Sequence, residues 1–137
     1  MASDLIKSMK ISAAGMKTQG IRLRVVSENL ANAQSTAANP GANPYRRKVV
    51  SFKNALDREL GVETVRLRKI TTDKSPFTIR YEPGHPAANS EGYVAYPNVN
   101  PLLEMTDMRE AQRTYEANLN VMETSRSMVQ RTIDMLR

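Results

Sequence analysis

The chain has 137 residues and a net charge of +6, with 40% hydrophobic residues, two Phe, five Tyr, no Trp and no Cys. That is one domain's worth of chain. Seven aromatics exclude a large aromatic core, and the lack of Cys excludes a disulfide framework or a thiolate metal site. The charge is uneven: residues 1–48 hold eight basic and two acidic side chains, and the rest holds twelve of each. Such asymmetry fits an anionic membrane, a nucleic acid or an acidic protein neighbour.

The first predicted element is a helix over 2–30. A 3-4 spacing picks out Ala2, Ile6, Met9, Ala13, Met16, Gly20, Leu23, Ser27 and Leu30, with Leu5 and Val26 widening the stripe. This near-heptad pattern belongs to a helix that packs along other helices. Gly15 and Gly20 each weaken it by roughly 1 kcal/mol against Ala, so it needs a partner. The start, MASDLIKSMKISAAG, lacks a continuous apolar core and an early basic cluster, so no cleaved secretory signal is expected. No apolar run has the length of a membrane span.

Loop chemistry follows in NPGANPY, Asn39 to Tyr45, where Pro pushes the preceding residue out of the helical region. The middle predicts strands over 45–52, 63–71, 75–82 and 93–96, with a helical turn or loop between the first two and a turn-rich loop before the last. A second helix is predicted from Pro101 onward, capped at Thr106 or Asp107, with Glu110 completing a capping box on Asp107. Its stripe runs Met108, Ala111, Tyr115, Leu119, Met122, Ser125, Val129, Ile133 and Leu136. The expected fold class is therefore α+β. Residues 1–34 and 102–137 form a coiled-coil-like helical assembly domain, and 35–101 form a loop and a small β-rich middle domain.

Catalytic chemistry finds no footing. His85 is the only histidine and sits in a loop between Gly84 and Pro86, with no nucleophile motif to serve. Glu104, Asp107 and Glu110 read as acidic residues answering a helix dipole. No catalytic, cofactor or metal residues are expected, and no cofactor. The Tyr45-Arg46-Arg47-Lys48 run is a weak nucleic-acid patch, since it lacks interleaved aromatics. Asn29 and Asn32 bracket Leu30, and Asn118 and Asn120 bracket Leu119. Polar residues beside a packed seam fix register and partner number, which points to self-association.

ENLANAQST, then a loop, then PYRRKVVSF resembles the N-terminal signature of bacterial flagellar axial proteins, the rod and hook subunits. PNVNPLLEMTDMREAQRTYEANLNVMETSRSM is similar to the C-terminal helix of the same family. The resemblance covers residues 5–52 and 82–137. The stretch PGHPAANSEGYVAYPNVNP and the short length are similar to a proximal-rod subunit; Ala111-Gln112 looks more like distal rod and hook subunits.

The resemblance implies a structural subunit that polymerises helically around a central channel, transmits motor torque toward the hook, and has no catalytic role. The alternative is another axial subunit of the same family, the second proximal-rod subunit or a distal-rod one; from the residues alone, the basic N-terminal helix leaves open a nucleic-acid or membrane-surface binding protein. Implied partners are copies of the chain, other rod subunits, the base of the basal body and the export apparatus. No nucleic acid and no membrane insertion are implied. The implied place is the rod crossing the periplasm, reached by flagellar type III export without signal cleavage. Implied subunit-assembly residues are Asn29, Leu30, Ala31, Asn32, Glu110, Gln112, Arg113, Tyr115, Glu116, Ala117 and Asn118. Met16, Leu23, Met108, Leu119 and Met122 join them from the stripes.

Overall fold

The computed structural model describes residues 1–137 and has the order α1 (Ala2–Ala31), β1 (Lys48–Asp57), β2 (Val62–Thr72), β3 (Thr78–Tyr81), β4 (Tyr93–Tyr96) and α2 (Pro101–Met135). The fold is α+β, as expected: two long helices flank two small two-stranded sheets, β1-β2 and β3-β4. No helix is long and apolar enough to cross a membrane. The chain divides into two compact units. One comprises Met1–Leu23, Val50–Lys69 and Arg109–Arg137; the other comprises Arg24–Val49 and Ile70–Met108.

In the first unit the two helices run antiparallel. Ser125 donates from its hydroxyl to that of Ser8 at 3.5 Å. A Cβ placed on Gly15 would lie 2.7 Å from Nδ2 of Asn118. Arg22 Nη2 reaches Glu110 Oε2 at 3.4 Å. The α1 positions rise by sevens while their α2 partners fall in step. The seam between them is small and polar. Ser12, Thr18, Ala111 and Ser125 are buried, and Gln19 keeps a buried Oε1 without a partner.

The seam differs from the expected one by a single residue. Contacts fall on Ser8, Gly15 and Arg22, each one place before Met9, Met16 and Leu23 of the predicted stripe. One residue turns a helix by about 100°. The apolar stripe of α1 therefore lies beside the intrachain contact, with Met9, Met16 and Leu23 half-buried and Ala13 exposed. On α2 the predicted row keeps phase through Val129, although Asn118 as well as Leu119 is half-buried. It then loses phase: Ile133 and Leu136 are exposed.

The same unit holds most of the β1-β2 ribbon. The KNALDREL stretch, expected as a helical turn or loop, instead continues β1 to Asp57 and turns only over 58–61. Glu59 donates its N–H to Asp57 Oδ1 at 3.1 Å, and Gly61 donates to the Asp57 carbonyl at 2.8 Å. Lys53-Asn54-Ala55-Leu56-Asp57 lacks a clear polar and apolar alternation, the pattern by which strands are recognised.

The second unit builds its core on β3 and β4. They pair antiparallel, with Thr78 opposite Tyr96 and Tyr81 opposite Tyr93. One face turns Val94 and Tyr96 inward against Ala87, and Val94 is fully buried. Gly92 has φ 86°, and a Cβ there would meet the Tyr81 ring at 2.9 Å, so the turn into β4 requires glycine.

The start of α2 corrects the expected cap. The helix begins at Pro101, and Asn100 accepts the Leu102 N–H on Oδ1 at 3.1 Å. Proline at the first helical position loses no bond, because that N–H has no helical partner. Thr106 and Asp107 lie inside the helix, and Thr106 bonds back to the Leu102 carbonyl at 3.0 Å. The first strand also starts later than expected, at Lys48 instead of Tyr45.

Candidate assembly site

The two N-terminal motifs meet within the second unit. Asn29 lies in the last turn of α1 and is 1% exposed. Its Nδ2 donates to the Lys48 carbonyl at 2.9 Å and to Glu104 Oε2 at 3.3 Å. Its Oδ1 accepts the Lys48 N–H at 2.9 Å and the Tyr45 hydroxyl at 2.8 Å. An amide has two N–H donors and two acceptor lone pairs. All four are used, so the side chain pairs with the first residue of β1 as a neighbouring strand would.

Each residue of the Tyr45–Lys48 run has its own partner. Burial pushes the Tyr45 hydroxyl above the usual tyrosine range. Arg46 Nη1 donates to the carbonyls of Asp73 at 2.9 Å and Ser75 at 3.0 Å, and its guanidinium stacks 4.2 Å from the Phe77 ring. Arg47 Nε binds Glu104 Oε1, and its Nη1 lies 3.5 Å from Asp73 Oδ2. Its hydrogen bond to the Glu104 carboxylate raises the Arg47 pKa further. Lys48 Nζ meets Glu28 at 2.9 Å; this bond lowers the Glu28 pKa and raises that of Lys48. The basic run is spent on internal order.

Two further groups lock the network. Glu104 is 1% exposed, so its first-turn position serves a buried ion pair with Arg47 more than a helix dipole. Asn98 accepts the Arg47 N–H at 2.8 Å and donates to the Asp73 and Ser75 carbonyls at 3.0 and 3.1 Å. Sequence reasoning assigned Asn98 no role and gave Arg47 only a place in the weak nucleic-acid patch. The signal was their place inside the two signatures, on either side of the middle segment.

The expected assembly residues therefore separate into two groups. Asn29 and Asn32 make their polar contacts inside the chain: Asn32 Nδ2 donates to the Glu28 carbonyl at 2.8 Å, at the end of α1. Glu110 pairs with Arg22, and Asn118 abuts Gly15. Each of these contacts lies within one chain. Ala31, Gln112, Arg113, Glu116 and Ala117 are exposed, and Met16, Leu23, Leu30, Met108, Tyr115, Leu119 and Met122 are half-buried. The exposed apolar side chains of α2 include Leu102, Leu103, Val121, Met128 and Met135.

These features are those of a chain held together by motif-to-motif hydrogen bonds, with apolar helix surface left over. Comparison with known proteins agrees. The family described as flagellar basal body rod FlgEFG protein C-terminal matches residues 90–135. The chain is 51% identical over 133 residues to the flagellar basal-body rod protein FlgC of Agrobacterium fabrum, covering 97% of this chain and 96% of that one. It is 38% identical over 143 residues to FlgC of Bacillus subtilis, covering 93% and 95%. With FlgC of Salmonella typhimurium it shares 36% over 133 residues, covering 96% and 97%. The chain belongs to the FlgC family of flagellar basal-body rod proteins.

Proposed function

We propose that this chain is a structural subunit of the flagellar proximal rod. Its near full-length similarity to FlgC proteins carries this reading. The subunit polymerises helically around a central channel, passes motor torque toward the hook and catalyses nothing. Its partners are other copies and the neighbouring rod subunits, and it leaves the cytoplasm through the flagellar export apparatus without losing a signal. Residues 1–34 and 102–137 serve as the assembly domain, and 35–101 as the middle domain. The apolar members of the expected site Met16, Leu23, Leu30 and Leu119 face neighbours, while Met122 lies in the seam with α1; Asn29 and Asn32 hold the subunit in shape for them.

The test is replacement of the chain by Leu30→Asp or Leu119→Asp in cells that depend on it for swimming. Both changes place a charge on a half-buried helix surface. The expected outcome is stable protein, no complete rod and no motility. Normal swimming with both variants would count against the reading.

A further inference from the structure

The seam within the first unit leaves two apolar rows uncovered in whole or part, a half-buried one on α1 and an exposed one on α2. On α1 the row is Met9, Met16 and Leu23, interleaved with Ala13 and Gly20, each one residue after a seam position. On α2 it is Ala117, Val121, Thr124 and Met128, each one residue before the seam row of Asn118, Met122, Ser125 and Val129. Val121 is 45% exposed and Met128 49% exposed. Neither row contains a charge, in a chain of which a quarter is charged.

The direction of each row follows from helix geometry. A step of one residue turns about 100° around a right-handed helix. Seen from the N-terminal end of α1, a forward step turns clockwise. Because α2 runs the other way, a backward step on it also turns clockwise from that viewpoint. The seams themselves point at each other. Equal turns in the same sense from opposed directions carry the two rows to opposite faces of the helix pair.

We infer that Met9, Met16 and Leu23 of one copy pack against Ala117, Val121 and Met128 of the next. The contact is head to tail, between two different surfaces of one chain. It rests on the rod-subunit reading and names the partner surface for it. A two-fold pairing of like rows covers one row and leaves the other in water, whereas the head-to-tail contact covers both. Side-chain sizes agree: the large row of α1 meets Ala117 and Thr124, and Val121 and Met128 meet Ala13 and Gly20. Rows on opposite faces give an open assembly, since the rotation relating copies need not close.

The chain has no cysteine, so introduced thiols are unique on it. Basal bodies are isolated from cells whose chain carries Met16→Cys together with one cysteine scanned through 116–128, then oxidised, and the bridges are identified by mass spectrometry. The expected result is a ladder of covalent multimers for one or more of Ala117, Val121, Thr124 and Met128, and none for Glu116, Asn120, Glu123 or Ser127. Each single variant alone gives no dimer. Dimers from Met16→Cys alone, or equal bridging at Glu123 and Val121, overturn the inference. Chain that enters basal bodies but bridges nowhere in the scan overturns this pairing and leaves the rod reading intact. Chain absent from basal bodies, with the unmodified chain also absent, overturns both. If Met16→Cys disturbs folding, Ala13→Cys provides the same scan from the adjacent position.

Discussion

Asn29 binds both backbone polar groups of Lys48, accepting its N–H at 2.9 Å and donating to its carbonyl at 2.9 Å. A helix end is thereby joined to a strand start by one amide. Asn29→Asp keeps the size but removes both N–H donors, and sets a second carboxylate beside Glu104. An unsatisfied buried group costs about 1–3 kcal/mol, more when charged. The expected loss in urea denaturation is therefore about 3 kcal/mol. A loss under 1 kcal/mol would mean that the amide network holds little of the fold.

Arg47 and Glu104 form an ion pair whose acidic member is almost wholly buried. Removing one partner of such a pair typically costs 3–5 kcal/mol, because the other charge stays in a poorly solvated place. Arg47→Ala should cost about 3 kcal/mol, at the low end since Arg47 itself is partly solvated. The double change Arg47→Met with Glu104→Leu should recover much of that loss. A double-mutant cycle with additive effects would show that the pair is not coupled.

Gly15 and Gly20 separate helix propensity from packing. Replacing a helix-interior glycine by alanine gains roughly 1 kcal/mol when space allows. At Gly20 a Cβ meets nothing within 4 Å, so Gly20→Ala should raise the thermal midpoint. At Gly15 it meets the Asn118 amide at 2.7 Å, so Gly15→Ala should gain less or lose. Adding Asn118→Ala should restore the gain to the Gly15 variant. Equal gains at both glycines would contradict the close approach of the helices.

Stability should fall at both ends of the pH scale. Glu28 is held below its ordinary 4.5 by Lys48, and Asp73 below its ordinary 3.8 by the Ser75 hydroxyl and N–H. Depressed carboxylates stabilise the fold above those ordinary values, and the contribution fades as pH falls through the lower folded ones. Tyr45 and Tyr96 are raised above 10.0, the first by burial and the second by its hydrogen bond to Glu82. Their contribution is intact below pH 10 and fades above it, where the unfolded chain ionises first. Thermal midpoints against pH should show both limbs, with Glu28→Gln flattening the acid one and Tyr45→Phe the alkaline one.

Much of this fold was legible because long periodic helices and short alternating strands announce themselves. The expected helix over 2–30 is α1 almost to the residue, and Tyr93–Tyr96 is β4 as read. Each failure has its own cause. The seam of α1 uses Ser8, Ser12 and Gly15, whose small side chains carry no hydrophobic signal, so the apolar row beside it was taken for the contact. The cap at Asn100 was passed over for Asp107, because an acid three residues before Glu110 imitates a capping box. The partners of Asn29 lie 16, 19 and 75 residues away, and no local pattern encodes such distances.

The Asp73 N–H donates to the Arg47 carbonyl at 2.8 Å, so the segment between them leaves and returns at one point. Within it the β1-β2 ribbon is an excursion with pinned ends. Lengthening a closed loop is cheap, about 0.6 kcal/mol for each doubling. The turn over 58–61 is thus the place where extra chain, a fluorophore or an epitope can be carried without disturbing the Asn29 network, and where relatives of different length have the freedom to differ.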